Sequence, residues 1–229
     1  MFKKKKILCL VPARGGSKGI KNKNLRKIKK KTLLQITSDF IDKIKIIDLK
    51  ILSTDSKKIK KIGKKLKFKI INRPKYLSGD RISDYKVIEH ALKELKNQNL
   101  FFDYLIYLQV TSPIRKKIDL IKNLKKVINK RLDSCWSVTK IDKTFHPLKI
   151  LKKEKNYVKL YNNLGKNIIA RQQLKDLYIR NGIFYIFDCR SILKNKSIYL
   201  KKCLPAISNH SYVNIDTKKD LKKAQEIYL

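Results

Sequence analysis

The part of the sequence richest in chemistry, residues 12–24, directly follows a continuous apolar run at residues 7–11. It holds adjacent glycines, Gly15 and Gly16, several cations and two asparagines. Glycines let a backbone approach a phosphate closely, and successive backbone N–H groups can form an anion-binding nest. The spacing matches neither G-x-G-x-x-G nor G-x-x-x-x-G-K-[ST], which disfavours a dinucleotide-binding loop and a P-loop. It predicts a triphosphate site of another kind, with a basic surface turn as the alternative interpretation.

Three cations of this segment, Arg14, Lys18 and Lys23, supply the charge that a triphosphate would require. In an open α/β sheet, ligands bind beyond the carboxyl ends of the strands. A loop that directly follows the first strand is therefore well placed. We predict that these three side chains neutralise the phosphates.

The elements that must position this loop follow from alternating apolar runs and helical patterns. Strands are predicted at residues 7–11, 49–52, 68–71, 104–110, 134–141, 183–187 and 212–215. Helices are predicted at residues 32–44, 56–66, 84–95, 118–128 and 218–228. Because strands and helices alternate, we expect a Rossmann-like α/β architecture, with a mostly parallel sheet and right-handed crossovers.

Residues 145–178 break this alternation. The segment contains His146-Pro147, two short β-like pieces and an Asn-Asn-Leu-Gly turn. We interpret it as an excursion from the main sheet and predict that it forms a dimerisation arm. Since no linker separates it from its surroundings, we expect a single domain over residues 1–229.

Charge is the most unusual bulk property: 58 Lys and Arg residues oppose 18 Asp and Glu residues, a formal net charge of +40. Such a balance is found in nucleic-acid-binding proteins. However, only nine of the 58 are Arg, and the lysines are spread over helical stretches. An AT-rich genome enriches Lys, Ile and Asn at the expense of Arg. We attribute the charge to this drift and predict no specific nucleic-acid partner, with selected polyanion binding as the alternative.

Cysteine usage and hydropathy bear on the compartment. The apolar run near the N-terminus ends at Pro12 and Arg14, too early for a signal peptide. No stretch approaches the ~20 apolar residues of a transmembrane helix, so no membrane partner is expected. The cysteines form no C-x-x-C pair, which favours reduced thiols in the cytoplasm. These isolated cysteines are Cys9, Cys135, Cys189 and Cys203.

Five segments resemble, in order, the motifs of one family, the acylneuraminate cytidylyltransferases or CMP-sialic acid synthetases. The first is LVPARGGSKGIKNKN, in which only Lys21 departs from a usual Pro. The second is an RP..L..D pattern that begins at Arg73. The others are LQVTSPIR at residues 108–115, RQQLKDLYIRNGIFYI at residues 171–186 and YVNIDTKKDL at residues 212–221.

The resemblance implies a three-layer, Rossmann-like nucleotidyltransferase fold and a homodimer in which residues 145–178 reach into the partner subunit. It implies an enzyme that condenses CTP with a nine-carbon α-keto acid sugar and releases pyrophosphate, with Mg²⁺ as cofactor. The sugar's anomeric hydroxyl would attack the α-phosphorus in line, so the protein would act by positioning and charge neutralisation.

The family motif also implies roles for single residues. Asn24 matches a position near the cytosine, whose donor and acceptor edges a side-chain amide can meet. Asp84 stands where relatives often carry Ser. The catalytic positions are Arg14, Lys23 and Asp216. The nucleotide-binding positions are Ala13, Arg14, Gly15, Gly16, Ser17, Lys18, Lys23, Asn24 and Arg73.

On the sugar side, the matching positions are Gln109, Arg171, Gln172 and Asn181. A planar guanidinium at Arg171 could grip the sugar carboxylate through two hydrogen bonds. The alternatives are that Gln109 is a polar strand end and that Arg171 pairs with an acid. Arg180 directly precedes Asn181, whereas relatives often place an Arg one residue earlier.

For the metal, Asp216 matches the family's ligand, and its alternative role is a helix cap. Asn214 stands where relatives commonly carry Asp, which removes one negative charge from the Mg²⁺ site. Two other functions stay open. A 3-deoxy-manno-octulosonate cytidylyltransferase would carry a Q.DEP-type motif where residues 109–113 read QVTSP. A basic nucleic-acid-binding protein could have kept the fold and lost the chemistry.

Overall fold

The computed structural model describes residues 3–17, 19–208 and 211–228. The helices are α1 (Leu33–Asp42), α2 (Lys57–Lys65), α3 (Asp84–Lys96), α4 (Lys117–Asn129), α5 (Cys189–Asn195) and α6 (Lys218–Ile227). The strands are β1 (Ile7–Pro12), β2 (Lys27–Ile28), β3 (Lys31–Thr32), β4 (Leu49–Thr54), β5 (Lys69–Asn72), β6 (Tyr104–Tyr107), β7 (Ser134–Lys140), β8 (Leu151–Glu154), β9 (Tyr157–Leu160), β10 (Tyr178–Asp188) and β11 (Cys203–Ile207).

Seven of these strands form one sheet in the order β11-β7-β10-β6-β1-β4-β5. Strand β10 runs antiparallel to both of its neighbours, whereas the other pairs are parallel. Four helices begin at a Ser or Thr whose side-chain oxygen accepts a backbone N–H bond, as N-caps require. These residues are Thr32, Ser56, Ser83 and Thr217. The predicted Rossmann-like α/β fold is confirmed.

Helices cover both faces of the sheet, which explains why β1 reads as a continuous apolar run. Ile7, Cys9 and Val11 point into the core under α1, α2, α4 and α6. Leu8 and Leu10 point into the core under α3 and α5. These are the three predicted layers. Each fully buried aliphatic side chain of this kind contributes about 1.5–3 kcal/mol.

Residues 212–215 form no strand, which corrects one prediction. Val213 and Ile215 are buried, so their apolar alternation reflects packing rather than strand pairing. The Ile215 N–H donates to the Thr111 carbonyl at 2.9 Å. The sheet ends instead at β11, where Pro205 weakens the sequence signal; proline is tolerated there because β11 is an edge strand.

The two strands that flank the candidate site also differ from prediction. Strand β6 stops at Tyr107, because the chain then turns and the Ser112 N–H donates to the Gln109 carbonyl at 3.1 Å. Strand β10 begins at Tyr178, earlier than expected, and its pairing with β7 is irregular between Arg180 and Tyr185. The bulge brings Asn181 and Gly182 to the carboxyl end of β6.

Most of the segment predicted as an excursion, residues 145–177, lies outside the main sheet, whereas Tyr178 begins β10. It consists of the β8–β9 hairpin and several short 3₁₀ turns, and most of its side chains are exposed. Ten of the sixteen exposed large hydrophobic side chains of the described residues lie between positions 145 and 179.

Within the described part of the chain, no helix combines the length and the apolar character that crossing a bilayer requires.

Candidate active site

A polar cavity of about 520 Å³ lies beyond the carboxyl ends of β1, β5 and β6. This is where an open α/β sheet binds its ligands. Segments far apart in sequence meet here: the loop after β1, the loop after β5, the end of β6 and the chain before α6. Predicted site residues that line the cavity are Arg14, Ser17, Lys23, Asn24, Arg73, Gln109 and Asp216.

Arg14 is fixed from two sides. Its Nη1 donates to the Ser78 carbonyl at 3.1 Å, and its Nη2 pairs with the Asp80 carboxylate. Its own carbonyl accepts a bond of 3.0 Å from Nδ2 of Asn24, which is buried. The loops after β1 and β5 are thus joined, and the cation is oriented by the protein itself.

Arg73 supplies a buried positive charge to the cavity. Its side chain donates from Nε to Ser53 Oγ at 3.0 Å and from Nη2 to the Ser53 carbonyl at 2.7 Å. Both acceptors are neutral, and burial lowers the pKa of Arg73 below its ordinary value. A buried charge is costly unless it is compensated. An anionic ligand in the cavity would compensate it.

Lys23 and Asp216 join the first loop to the segment before α6. Lys23 Nζ lies 2.8 Å from Asp216 Oδ1, and Asn214 Nδ2 donates to Asp216 Oδ2 at 3.2 Å. The Asp216 side chain is 64% exposed, so a ligand can reach its carboxylate. A Cβ at Gly19 would lie 2.4 Å from the Asp216 carbonyl oxygen. Gly19 therefore permits the two protein segments to approach each other.

Asp216 does not cap α6, so that alternative interpretation is wrong. The cap is Thr217, whose side chain accepts from the Asp220 N–H at 3.2 Å. Asp220 Oδ2 in turn accepts from the backbone N–H groups of Thr217 at 2.8 Å and Asp216 at 3.1 Å. The bond from the Thr217 N–H helps to lower the pKa of Asp220. This capping box fixes the backbone that carries Asp216.

The glycine-rich loop differs from the predicted anion nest. The Gly15 N–H donates to Asp55 Oδ1 at 2.9 Å, so it faces a carboxylate rather than the cavity. Ala13 is fully buried and donates to the Ser53 carbonyl at 2.9 Å. These two residues shape the loop, while a Cβ at Gly16 would meet only open space. Lys18 lies outside the described residues.

On the sugar side, Gln109 lines the cavity and packs against the β10 bulge. Gly182 has a φ of +72°, and a Cβ there would lie 2.8 Å from Gln109 Oε1 and 2.7 Å from Ser112 Oγ. Asn181 is 2% exposed and does not line the cavity. Its Nδ2 donates to Thr139 Oγ1 at 3.1 Å. Asn181 thus holds the bulge in shape.

Arg171 and Gln172 do not line the cavity. Both lie in a short, exposed 3₁₀ turn of the excursion. Arg171 Nη2 lies 3.5 Å from Asp142 Oδ1, which is the acid pairing considered as the alternative. Within one chain, these two predicted sugar contacts are not brought to the nucleotide cavity.

The structural role of Arg115 was not predicted from the sequence. Its Nε donates to the Ile183 carbonyl at 2.9 Å, and its Nη2 donates to the Gln109 carbonyl. Burial lowers its pKa to about 10. Arg115 therefore joins the end of β6 to β10 beneath the site. The only signal was its place as the last residue of LQVTSPIR.

A second missed contact involves Tyr107, the last residue of β6. Its hydroxyl donates to Asp84 Oδ1 at 2.7 Å, and burial raises the pKa of Tyr107. Both side chains line the cavity. Asp84, which replaces a usual Ser, is therefore engaged with the protein.

A smaller cavity of about 390 Å³ adjoins the first, and the two share Ile82 and Asp84. Its walls include Arg180 and Tyr199. The Arg180 guanidinium lies 5.0 Å from the Trp136 ring centroid and 5.6 Å from that of Tyr199, in cation–π range of both. Arg180, the residue before Asn181, is thus held by two aromatic rings at the wall of this cavity.

Solved structures show which fold this is. A CMP:2-keto-3-deoxy-manno-octonic acid synthetase complexed with CTP superposes with a TM-score of 0.70 at 15% identity and covers 97% of this chain and 98% of its own. A 4-diphosphocytidyl-2C-methyl-D-erythritol synthase from Anaerococcus prevotii superposes with a TM-score of 0.68 at 16% identity, and 98% of each chain is covered. The architecture is the nucleotidyltransferase fold.

The family model described as Cytidylyltransferase matches residues 8–229, so the chain belongs to that family and is a nucleotidyltransferase. The post-translational flagellin modification protein B of Campylobacter coli is 30% identical over 94% of this chain and 92% of its own. The pseudaminic acid cytidylyltransferase of Campylobacter jejuni is 29% identical over 97% and 96%. The N-acylneuraminate cytidylyltransferase of Escherichia coli is 27% identical over 96% of this chain, which spans 51% of that longer protein. The predicted resemblance is confirmed.

Proposed function

We propose that this enzyme transfers CMP from CTP to a nonulosonic acid, a nine-carbon acidic sugar of the sialic, pseudaminic or legionaminic type, and releases pyrophosphate. The observation that carries the proposal is one cavity that joins a buried guanidinium, Arg73, to the Lys23–Asp216 pair in a cytidylyltransferase chain. Full-length relatives named for pseudaminic and diacetyllegionaminic acid support the class of sugar.

The nucleotide lies in the 520 Å³ cavity in this proposal. Arg14, Lys23 and Arg73 balance the negative charge of the triphosphate. On binding, the phosphates of CTP would replace part of the contact that Asp80 makes with Arg14 and that Asp216 makes with Lys23. Asn24 is buried with its Nδ2 on the Arg14 carbonyl, which leaves its Oδ1 as the atom able to accept a bond from the cytosine amino group.

The reaction is an in-line displacement. The oxygen of the sugar's anomeric hydroxyl forms a bond to the α-phosphorus, and the bond from that phosphorus to the bridging oxygen of pyrophosphate breaks. Pyrophosphate leaves with the bonding electron pair, and the hydroxyl proton passes to solvent. The chain contributes positioning and charge neutralisation, since Arg14 and Lys23 face the charge that accumulates on the leaving group.

The side chains before α6 fit a Mg²⁺ ion held mainly by substrate. Among the described residues, no three His, Cys, Asp or Glu side chains form a group that could hold a metal ion. Mg²⁺ commonly binds through one or two carboxylates together with phosphates and water. Asp216 is the exposed carboxylate, and Asn214 offers an amide beside it. When bound, Mg²⁺ would supply positive charge to the phosphates.

We place the sugar in the adjoining 390 Å³ cavity, which shares Ile82 and Asp84 with the larger cavity that Gln109 lines. In one chain, Arg180 is the arginine at this cavity, whereas Arg171 lies on the excursion. Arg180 therefore competes with the predicted Arg171 as ligand of the sugar carboxylate. Arg180→Lys and Arg171→Lys separate the two, because loss of a bidentate contact raises the KM for the sugar and leaves the KM for CTP unchanged.

A homodimer is the assembly we infer from the excursion. Its exposed apolar side chains include Tyr157 at 73%, Val158 at 66% and Ile169 at 95% exposure. Exposed apolar patches of this kind mark interaction sites. A second copy of the chain would cover them and bring Arg171 and Gln172 towards a partner's cavity. The dimer is proposed to act in the cytoplasm, where its free thiols stay reduced.

The deciding experiment measures pyrophosphate release from CTP and Mg²⁺, with N-acetylneuraminate, pseudaminate, legionaminate and 3-deoxy-manno-octulosonate offered in turn at physiological salt. Turnover with one nonulosonic acid is the expected result. Turnover with the octulosonate alone would replace the proposed sugar class. RNA binding that persists at physiological salt, with no turnover by a folded protein, would favour the nucleic-acid-binding alternative.

A further inference from the structure

A second large cavity, of about 730 Å³, lies at the end of the sheet opposite to the active site. Lys5, just before β1, and Tyr104, which begins β6, line it, whereas Pro12 ends β1 at the active-site cavity. Six strand residues at about 3.3 Å each place the two cavities roughly 20 Å apart. A molecule bound in one cavity would not touch the other.

The second cavity combines four cations with two carboxylates that the protein already uses. Asp133 accepts from Ser191 Oγ at 2.8 Å and from the Lys202 N–H at 3.1 Å. Asp188 accepts from the Ser191 N–H at 2.7 Å, the N-cap bond of α5. Neither carboxylate forms its described bonds with the cations, which are Lys3, Lys5, Arg131 and Arg190. Lys5 is already paired with Asp103 at 2.8 Å, so the proposal rests on the two arginines.

Two of these cations are arginines in a chain that nearly always uses lysine. The sequence has nine Arg among 58 basic residues, and two of them, Arg14 and Arg73, line the active-site cavity. Arg131 and Arg190 line the second cavity together. If the composition has drifted from Arg to Lys, two arginines kept in one cavity favour a task that a guanidinium performs and an ammonium cannot, such as bidentate binding of phosphate.

Arg131 also has an unusual backbone. It follows the C-cap of α4 with a φ of 50°, a position where glycine or asparagine is common. The other non-glycine residues with positive φ in the described part of the chain are all Lys or Asn. An arginine is therefore held at a strained position at the rim of this cavity.

We propose that this cavity binds a phosphate-bearing small molecule about the size of a mononucleotide. Arg131 and Arg190 contact the phosphate, and Ile128, Leu132 and Tyr104 form the apolar part of the wall. Small-molecule sites typically enclose about 300–1,000 Å³ and combine an apolar wall with a few convergent polar groups. A concave pocket takes one ligand, whereas single-stranded nucleic acid follows an extended groove.

The test uses the full chain labelled with ¹⁵N-arginine, because nine side-chain Nε–H signals can be resolved one by one. AMP, inorganic pyrophosphate and a short RNA are titrated separately at 0.15 M salt, a condition of about 8 Å Debye length. Saturable shifts of the Arg131 and Arg190 signals with AMP are expected. Arg26, an exposed arginine whose Nε donates to the Lys21 carbonyl near the active-site cavity, reports bulk electrostatics and any binding at that end of the molecule. Equal responses of all three signals, or a response to RNA alone, would overturn the proposal.

Two double variants test AMP binding without relying on the arginine Nε–H signals. Arg131→Gln with Arg190→Gln removes two charges and is expected to weaken AMP binding at least tenfold. Lys57→Gln with Lys61→Gln removes the same charge from α2 and is expected to change it less than twofold. Equal weakening of AMP binding in both double variants would show that AMP responds to net charge rather than to a site in this cavity. Arg131→Lys keeps the charge at a φ that lysine adopts elsewhere in this chain, so it separates misfolding from loss of the guanidinium.

Discussion

The loops around the nucleotide cavity and the excursion at residues 145–178 are both irregular, yet they are held in opposite ways. Arg14 and Arg73 make hydrogen bonds to another loop or strand, Asn24 donates to the Arg14 carbonyl within its own loop, and both Asn24 and Arg73 are buried. The excursion pairs with itself in the β8–β9 hairpin, and its apolar side chains face outward. The loops around the cavity are therefore fixed within a single chain, whereas the excursion leaves an apolar surface exposed.

The contrast indicates which ligand would lose more conformational entropy to bind. In the proposed complex the nucleotide would meet groups that are already oriented, so little ordering entropy would be lost there. The sugar side is expected to gain its final shape only when a second chain covers the excursion. Substitutions in the two regions test whether they differ in this way.

The largest effect is expected from Asp216→Ala. The carboxylate pairs with Lys23 and is 64% exposed, so its loss removes charge from the reacting centre without opening the core. We expect turnover to fall about 100-fold or more. Pyrophosphate release measures this, and the thermal midpoint serves as the folding control. Undiminished turnover would remove Asp216 from the metal site.

A large effect is also expected from Val158→Asp combined with Ile169→Asp. Charges placed in an interface core destabilise association by about 2 kcal/mol or more. Light scattering is expected to report a monomer. A CTP titration is expected to show normal binding to this monomer, and the pyrophosphate assay is expected to show poor turnover. Ile118→Asp, at an exposed position of α4, is the matched control. A wild-type chain that is already monomeric and fully active would contradict the proposed assembly.

Gly182→Ala tests the bulge that supports Gln109. Its Cβ would meet Gln109 Oε1 and Ser112 Oγ at a φ of +72°, so we expect a loss of about 1–3 kcal/mol in the free energy of unfolding. Urea denaturation measures this loss. The KM for the sugar is expected to rise while that for CTP stays constant. Gly16→Ala, which meets open space, is expected to change neither quantity.

Asn214→Asp restores a carboxylate beside Asp216. Two neighbouring carboxylates attract Mg²⁺ more strongly than one, so half-maximal activity is expected at a Mg²⁺ concentration about threefold to tenfold lower. Metal titration of the rate measures this shift. Asn214→Ala keeps the charge unchanged and is the control. An unchanged Mg²⁺ requirement would show that the ion is held without this position.

The smallest effect concerns the capping box of α6. Asp220→Ala is expected to reduce stability by about 0.5–1 kcal/mol at neutral pH. The folded-state pKa of Asp220 is lowered by hydrogen bonds from Thr217, so its contribution is present above the ordinary value of 3.8 and is lost as the pH falls through the folded value. Denaturation of both proteins from pH 7 to pH 2 should show the difference disappear. A difference that persists at pH 2 would contradict this origin.

Much of the fold could be predicted from sequence because apolar periodicity reports burial. The run at residues 7–11 became β1, and five of the six described helices began close to their predicted positions, whereas α5 was not predicted. The same signal failed at residues 212–215, where Val213 and Ile215 are buried but have no strand beside them. It also failed at β11, because Pro205 is unfavourable in most strands and acceptable only at an edge.

The meeting of the predicted nucleotide-binding residues in one cavity was predictable, because these residues follow strand ends that the topology brings together. Arg171 was not, because an exposed excursion is positioned by contacts outside its own sequence pattern. Arg115 was missed for a different reason. The guanidinium of Arg115 acts by donating to two backbone carbonyls. Local sequence spacing does not show which strand supplies a hydrogen-bond partner.

The aromatic rings beside Arg180 include a fluorophore. Trp136 is the only tryptophan in the chain, and it contacts both Arg180 and Tyr199 beside the proposed sugar cavity. The protein thus carries its own optical reporter. A sugar that draws the guanidinium away from the indole is expected to change the emission intensity, whereas CTP alone is expected to leave it unchanged. Substrates could then be ranked by fluorescence titration before any turnover is measured.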